Sequence, residues 1–197
     1  MDEGKAQWGE RGMGSDHLVV TVRPGARAEV RRLLLDLGSV SDTPHDNVLV
    51  LHVRDPLAAL RMLQLWYRIN PDLRHGIDHA VPVTRAFGFA GRDDFARRAS
   101  EAVRAWLPLL AGKSVHVHRD RHGVRPEAGC RARARELRRI VADEARRAGV
   151  ATREGSEDAD VTIALACIDH WAGLSLWTRR QRLRYPELGF ASASHAA

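Results

Sequence analysis

Cysteine and long apolar runs are scarce in this sequence. Its two cysteines, Cys130 and Cys167, lie far apart and match no zinc or redox spacing, so we interpret both as reduced residues of a cytoplasmic protein. No apolar run approaches the roughly 20 residues needed to cross a bilayer, so no membrane partner is expected. The N-terminus carries glycine and acidic residues where a signal peptide has an apolar core, which argues against export.

The loops that bind nucleotide cofactors are also missing. Neither GxGxxG nor GxxxxGKS/T occurs, so no cofactor is expected. Asp169-His170 lies in a predicted turn, but no Ser or Cys is placed by a motif to complete a nucleophile triad, and no catalytic residue is assigned. His116 and His118 have a spacing that metal sites use, yet no third ligand is tied to them by spacing, so no metal site is assigned.

What the sequence does have is arginine, and its positive charge is concentrated in one region. Lys5 and Lys113 are the only lysines among 31 basic residues. The net charge is about +1 over the first 100 residues and about +5 over the remaining 97, and the run from Lys113 to Arg139 carries most of the excess. Such a concentration is typical of a polyanion partner, most often nucleic acid. The alternative is a soluble charged face in a protein from an arginine-preferring genome.

The first half of the chain alternates short apolar strands with amphipathic helices. Strands are predicted at 17–23, 48–54 and 79–87, and Pro82 favours a sheet edge for the third. A first helix is predicted from the stripe Val30, Leu33, Leu34 and Leu37. Asp55-Pro56 begins a second helix, whose predicted buried residues are Leu57, Leu60, Leu63 or Met62, Trp66 and Ile69. This order suits a small ferredoxin-like unit.

The second half contains two longer helices and a pair of apolar strands. The first helix is predicted to bury Phe95, Ala99, Ala102, Val103, Trp106, Leu107 and Leu110. The strand 114–119 alternates, so its valines point to one side and its histidines to the other. The arginine-rich helix, 131–148, and strands at 160–168 and from Gly173 follow. The predicted divisions are a disordered tail 1–16, an N-terminal unit 17–90, a second unit 91–178 and a C-terminal tail 179–197.

The arginine-rich helix has two opposite faces. Leu137, Val141 and Ala148 lie on the arc predicted to pack on the sheet. The arc nearly opposite holds Arg131, Arg135, Arg138, Arg139 and Arg146. Arginines at this spacing repel one another unless an anionic ligand binds there. The alternative is a solvated face with the local partners Glu136, Asp143 and Glu144. Trp177, beside three arginines, is left open between packing and stacking on a base.

The order of motifs in the second unit is distinctive. It runs through an amphipathic helix (95–110), a Gly-Lys-Ser start to an alternating strand that ends in Arg119, a basic loop (121–129), a second helix (131–148) and an Asp-led apolar strand (160–168) with its neighbour (173–177). This order resembles a THUMP domain, the RNA-binding module of several tRNA-modifying enzymes. The preceding segment, ending in HAVPVTRAF, is similar to the ferredoxin-like unit that accompanies THUMP. Members often have Pro-Asp where this chain has Ala159-Asp160.

The resemblance implies both a fold and a function. The implied fold is α/β (α+β), with an N-terminal ferredoxin-like unit followed by a THUMP-type unit. The implied ligand is structured tRNA, held at its acceptor stem and 3′ end by shape and backbone. About twenty residues follow Trp177, and they contain no catalytic-domain motif. The chain is therefore similar to stand-alone THUMP proteins, such as the adaptor that presents tRNA to a cytidine acetyltransferase. The expected partners are tRNA and a separate tRNA-modifying enzyme.

The candidate RNA-binding residues lie on the strand, loop and helix of the basic run, and we expect them to share one face. They are Lys113, His116, His118, Arg119, Arg121, Arg125, Arg131, Arg135, Arg138 and Arg139, each in phosphate or ribose contact. Two other functions remain open at this point. One is a small RNA-modifying or hydrolytic enzyme that uses the histidines, and the other is a ferredoxin-like module that senses a ligand or binds a protein.

Overall fold

The computed structural model describes residues 17–70, 76–119 and 128–185. The predicted disordered tail 1–16 and the candidate residues Arg121 and Arg125 lie outside these ranges. Within them, the chain forms two β-sheets and five helices. None of those helices is both long enough and apolar enough to cross a membrane.

The first sheet has four antiparallel strands. They are β1 (His17–Val22), β2 (Ser39–Asp42), β3 (Val48–His52) and β4 (Ile77–Val83), in the order β2-β3-β1-β4. The helices α1 (Arg27–Leu34) and α2 (Pro56–Ile69) follow β1 and β3. This βαββαβ order is the ferredoxin-like topology expected from the sequence. β4, which contains Pro82, lies at the predicted sheet edge.

Sequence reasoning missed β2. Its four residues, SVSD, show no alternation of apolar residues, so the period-2 signal of a half-buried strand is absent. β2 forms by pairing with β3, where Ser39 lies opposite His52 and Asp42 opposite Leu49. The guanidinium of Arg27 lies 2.8 Å from the Asp42 carboxylate and ties α1 to this hairpin. Tertiary pairing, rather than local propensity, therefore forms the strand.

α2 begins as predicted and buries part of the predicted stripe, including Leu60 and Leu63. The Asp55 carboxylate accepts hydrogen bonds of 2.9 Å from the amides of Leu57 and Ala58, which caps the helix. Leu60, Leu63 and Tyr67 are buried. The prediction that Ile69 is buried was wrong, because its side chain is 71% exposed. Ile69 lies two positions beyond Tyr67, about 200° around the helix from the buried stripe.

The second sheet has five strands, in the order β5-β9-β8-β6-β7. Its elements are β5 (Arg85–Gly88), α3 (Arg92–Leu110), β6 (Ser114–Arg119), α4 (Ala128–Arg147), β7 (Arg153–Glu154), β8 (Val161–Ile168), β9 (Trp171–Thr178) and α5 (Arg179–Arg184). β6 runs parallel to both β7 and β8, and the other pairs are antiparallel. The strand predicted over 79–87 is two strands, because the chain passes from one sheet to the other at Thr84.

α3 and α4 cover one face of the second sheet. All seven residues predicted for the buried face of α3 are buried, which confirms that prediction. On α4, Leu137 and Val141 pack into the same core, together with Cys130 and Ala134. Ala148 was wrongly predicted to join them, since it is exposed and lies just beyond the end of the helix.

The other face of the second sheet packs against the first sheet. Val19, Val50 and Val83 of the first sheet form one apolar cluster with Ala166, Ile168 and Trp171 of the second. β8 is consequently covered on both faces, and all eight of its residues are buried. The described residues form four layers, with α1 and α2 outside one sheet and α3 and α4 outside the other. The fold is mixed α/β, as the sequence predicts.

Candidate nucleic-acid interface

The start of β6 is clasped to the start of β8. The Asp160 carboxylate accepts hydrogen bonds from the backbone amide and the hydroxyl of Ser114, at 2.8 and 2.7 Å, and the Asp160 amide donates to the Ser114 hydroxyl at 2.9 Å. The Ser114 amide lowers the pKa of the Asp160 carboxyl. Ser114 and Asp160, two residues of the sequence motif, therefore hold the start of β6 against the start of β8. β6 is the strand that leads into the basic loop of the sequence.

The arginines of α4 divide between two flanks of the helix. Arg131, Arg135, Arg138 and Arg139 are exposed on the flank turned away from α3. Within residues 17–70, 76–119 and 128–185, no carboxylate forms an ion pair with any of these four. The Arg138 guanidinium donates to the carbonyl of Val117 at 3.4 Å, so this flank borders β6. We call these four residues the α4 arginine row.

The acidic residues of α4 serve other arginines. The Glu136 carboxylate accepts a hydrogen bond from Nε of Arg92 on α3 at 2.7 Å. Glu144 is buried and accepts Arg104 of α3 at 2.8 Å and Arg147 at 2.6 Å. The hydrogen bond from Arg104 lowers the pKa of the Glu144 carboxyl. Of the three acidic residues expected to neutralise a solvated arginine face, all but one therefore bind arginines of α3.

That exception is Asp143, which pairs with Arg146 at 2.7 Å. Arg146 belonged to the predicted arginine arc, and its charge is met locally. Surface pairs of this kind contribute little to stability, but they do reduce the field that a ligand meets. The α4 arginine row therefore excludes Arg146 and keeps the four arginines of α4 that were predicted to bind RNA.

His116 and His118 lie on the sheet face opposite α4. Val115 and Val117 point into the core under α3 and α4, so the alternation of the strand turns both imidazoles to the other side. Their ring centroids are 6.3 Å apart, and Nδ1 of His116 lies 3.3 Å from the Gly155 carbonyl. The expectation that histidines and arginines share one face was wrong.

The histidines of β6 and the α4 arginine row instead approach each other at the edge of β6 that pairs with β7. β7 pairs only with Ser114 and Val115, so among the described residues the rest of β6 has no strand neighbour on this side. Burial lowers the pKa of His116, the Gly155 carbonyl opposes that shift, and the positive charges of Arg138 and Arg182 add to it. His116 is therefore close enough to Arg138 of α4 and Arg182 of α5 for both charges to act on it. Lys113 and Arg119, at the two ends of β6, are half-buried.

We expect stability to fall at acidic pH. Burial, with His17 nearby, also lowers the pKa of His52. A histidine whose pKa is lower in the folded state takes up more protons when unfolded, so its contribution is lost as pH falls below about 6.5. Urea denaturation at pH 7.5, 6.5 and 5.5 measures this loss, and His116→Gln should reduce it, because glutamine does not titrate in this range. Equal pH dependence in wild type and variant contradicts the assignment.

Sequence reasoning missed α5, although its signal was present. The Thr178 hydroxyl accepts from the Gln181 amide, and the Gln181 side chain meets the Thr178 amide, which forms a capping box. Arg182 donates to the carbonyls of Glu157 and Ala159 at 3.1 and 2.7 Å, so it anchors α5 to the loop before β8.

The buried environment of Trp177 decides between its two proposed roles. Its side chain is 2% exposed, and its indole N–H donates to the Ser175 hydroxyl at 2.7 Å. Trp177 therefore packs in the core and offers no face for a base. Arg133 is likewise occupied, because its guanidinium stacks over Phe89 and Phe95 at 4.9 and 5.3 Å from the ring centroids.

Comparison with known proteins shows likeness in fold. No protein-family model matches the sequence, and no curated protein matches it. Among solved structures, PH1313 from Pyrococcus horikoshii Ot3 matches 82% of this chain and 54% of its own, at 10% identity and a TM-score of 0.54. TrmN from Thermus thermophilus matches 82% of this chain and 45% of its own, at 21% identity and a TM-score of 0.49.

A 4-thiouridine synthetase, solved in complex with RNA and with bound ATP, matches 83% of this chain and 42% of its own, at 9% identity and a TM-score of 0.48. The chain spans about half the length of PH1313. At these identities the likeness concerns the fold alone, and the match to PH1313 supports the mixed α/β fold expected from the sequence.

Proposed function

We propose that this protein binds structured RNA, with tRNA as its ligand, and holds it for a separate modifying enzyme. The observation that carries the proposal is the α4 arginine row, four exposed guanidiniums that meet no carboxylate in the described part of the chain. Arginines of the neighbouring helix α3 are paired with carboxylates of α4, as Arg92 and Arg104 show. Phosphates would supply the missing negative charge.

The geometry of the row suits an RNA backbone. Arg131, Arg135 and Arg139 recur every four residues, so successive guanidiniums depart from points about 6 Å apart along the helix. Arginine presents a planar fork of donors that matches phosphate oxygens better than a lysine ammonium does. Contacts of this kind read the shape and backbone of an A-form helix rather than its sequence.

The THUMP resemblance supports tRNA as the ligand. Members of that family hold tRNA, and the fold expected for such a member is supported by the likeness to PH1313. The holding role rests on the similarity of the sequence to stand-alone THUMP proteins. It assigns the chemistry of modification to another protein and gives this chain the task of positioning the RNA.

A salt titration of tRNA binding tests the proposal. Each neutralised phosphate releases counterions, so the logarithm of the association constant should fall linearly with the logarithm of salt concentration. With four arginines in contact, we expect a slope of roughly −3 to −4. Fluorescence anisotropy with labelled tRNA measures this slope between about 50 and 300 mM KCl, a range of ionic strength over which screening changes strongly. An affinity that does not respond to salt contradicts RNA binding through this row.

The holding role has its own readout in the same preparation. The purified protein, incubated with bulk tRNA, should leave its nucleosides unchanged when they are analysed by mass spectrometry. A modified nucleoside formed by the protein alone would instead favour the enzyme alternative. That result would leave the binding proposal intact.

A further inference from the structure

A pocket lies beside the α4 arginine row, between α4 and β7. We call it the α4–β7 pocket, and its volume is about 290 Å³. This is near the lower end of small-ligand sites, roughly 300 Å³, which suits a single planar group rather than a length of strand. Its floor is apolar and includes Val115, Val117 and Val141. Each of these valines also contacts the core under α3 and α4, so the floor is held rigidly.

The rim of this pocket is positively charged. Arg138, Arg139 and Arg153 line it, with Glu154 as the acidic residue among its lining. Arg153 approaches the Asp160 carboxylate at 3.9 Å, a long contact on two exposed side chains. Arg139 has no carboxylate within ion-pair distance among the described residues. A ligand that combines a flat apolar group with a phosphate matches both the floor and the rim.

The open edge of β6 adds hydrogen-bonding groups to this surface. The Gly155 amide donates to the Val115 carbonyl at 2.9 Å, so the polar backbone groups of Val115 point toward β7. The backbone amide and carbonyl of Val117, two residues further along β6, point to the same side of the strand. The Val117 carbonyl accepts a hydrogen bond from Arg138. Beyond Glu154, β7 no longer pairs with this edge. Because a carbonyl oxygen has two lone pairs, that of Val117 can accept from the amino group of a nucleobase as well as from Arg138.

We propose that the α4–β7 pocket binds one unpaired nucleotide of the RNA. The base lies on the valine floor, with the guanidinium of Arg138 beside it, and Arg139 and Arg153 hold the adjoining phosphates. The inference rests on the proposed RNA binding and goes beyond it. The row alone would hold any duplex backbone, whereas the pocket selects RNA that has a base free of its stack.

Filling the pocket without changing its charge tests the inference. Ala142 lines the pocket and is exposed on α4, so Ala142→Phe should occupy the site without disturbing the core. Ala132→Phe, at an exposed position of α4 outside the pocket, is the matched control. The probes are three RNA hairpins with the same stem, in which a covalent linker replaces the nucleotides of the loop. One is fully paired and blunt, one has a single bulged nucleotide and one has a single-nucleotide overhang.

We expect the wild-type protein to bind the bulged or the overhanging hairpin about tenfold more tightly than the blunt one, as one stacked base would provide. Ala142→Phe should remove this preference and keep its affinity for the blunt hairpin, while Ala132→Phe keeps both. The hairpin that is preferred identifies the source of the nucleotide.

A second readout does not depend on differences in affinity. The fluorescence of 2-aminopurine at the unpaired position should change on binding to wild type and not on binding to Ala142→Phe. Equal affinity for all three hairpins, or a preference that persists in Ala142→Phe, overturns the pocket. Failure of the wild type to bind even the blunt hairpin would instead remove the proposed function itself.

Discussion

Replacing Arg131, Arg135 and Arg138 together with glutamine should weaken tRNA binding by about a hundredfold at 0.1 M salt. Each of these exposed guanidiniums is expected to neutralise one phosphate, and each lost contact also removes its counterion release. The slope of the salt titration should therefore become shallower by roughly 2 to 3. Anisotropy titrations of wild type and variant, at several salt concentrations, give both quantities. Glutamine keeps the helical propensity and most of the side-chain length, so α4 should remain folded.

A triple variant with the same change in net charge is the control. Arg32, Arg54 and Arg68 are exposed on the side of α1 and α2, and none forms an ion pair in the part of the chain that the structure describes. Their replacement with glutamine should reduce affinity by no more than the general loss of positive charge, a few-fold. Equal weakening by the two triple variants would show that net charge, rather than the α4 arginine row, attracts the RNA.

Gly173→Ala should destabilise the fold by about 1–3 kcal/mol. Gly173 lies on β9 where the two sheets pack together. A Cβ atom there would lie 2.6 Å from Cγ2 of Val83 and 2.8 Å from the Trp171 ring. Val83 is a stiff, fully buried side chain of β4, so the contact can be relieved only by moving the sheets apart. Urea denaturation monitored by tryptophan fluorescence measures the change.

Gly91→Ala is the matched substitution. A Cβ atom at Gly91 would meet no heavy atom within 4 Å, and its backbone is extended. We expect its effect on the free energy of unfolding to stay within about 0.5 kcal/mol. If Gly173→Ala is as well tolerated as Gly91→Ala, the two sheets are less tightly packed than the structure indicates.

The sequence predicts the long elements well because their burial patterns are complete in themselves. α3 carries seven apolar residues at helical spacing, and all seven are buried. β8 is apolar throughout, which is typical of a strand covered on both faces. The short elements behave differently. β2 exists because β3 pairs with it, and the split of 79–87 into β4 and β5 depends on a second sheet that no local pattern reveals.

The sequence proposes residues for the candidate site, but it does not predict how the described ones are arranged. The sequence separates the valines of β6 from its histidines, but α4 could have covered either face. The structure places α4 on the valine face, which leaves His116 on the far side of the sheet. It also shows which arginines are already occupied, since the partner of Arg104 lies 40 residues away at Glu144. Contacts over such separations are set by the fold.

The buried Glu144 has a consequence for how fast the proposed RNA ligand could bind. Because its carboxylate is gripped by Arg104 and Arg147, α4 is locked against α3 before any ligand arrives. The arginine row is thus a preformed positive surface, and no helix has to order during the encounter. Association through such a surface is limited by diffusion and electrostatic attraction, so salt acts on the rate of capture as well as on the lifetime of the complex. A preformed α4 arginine row would let the protein capture RNA at low concentration and still release it.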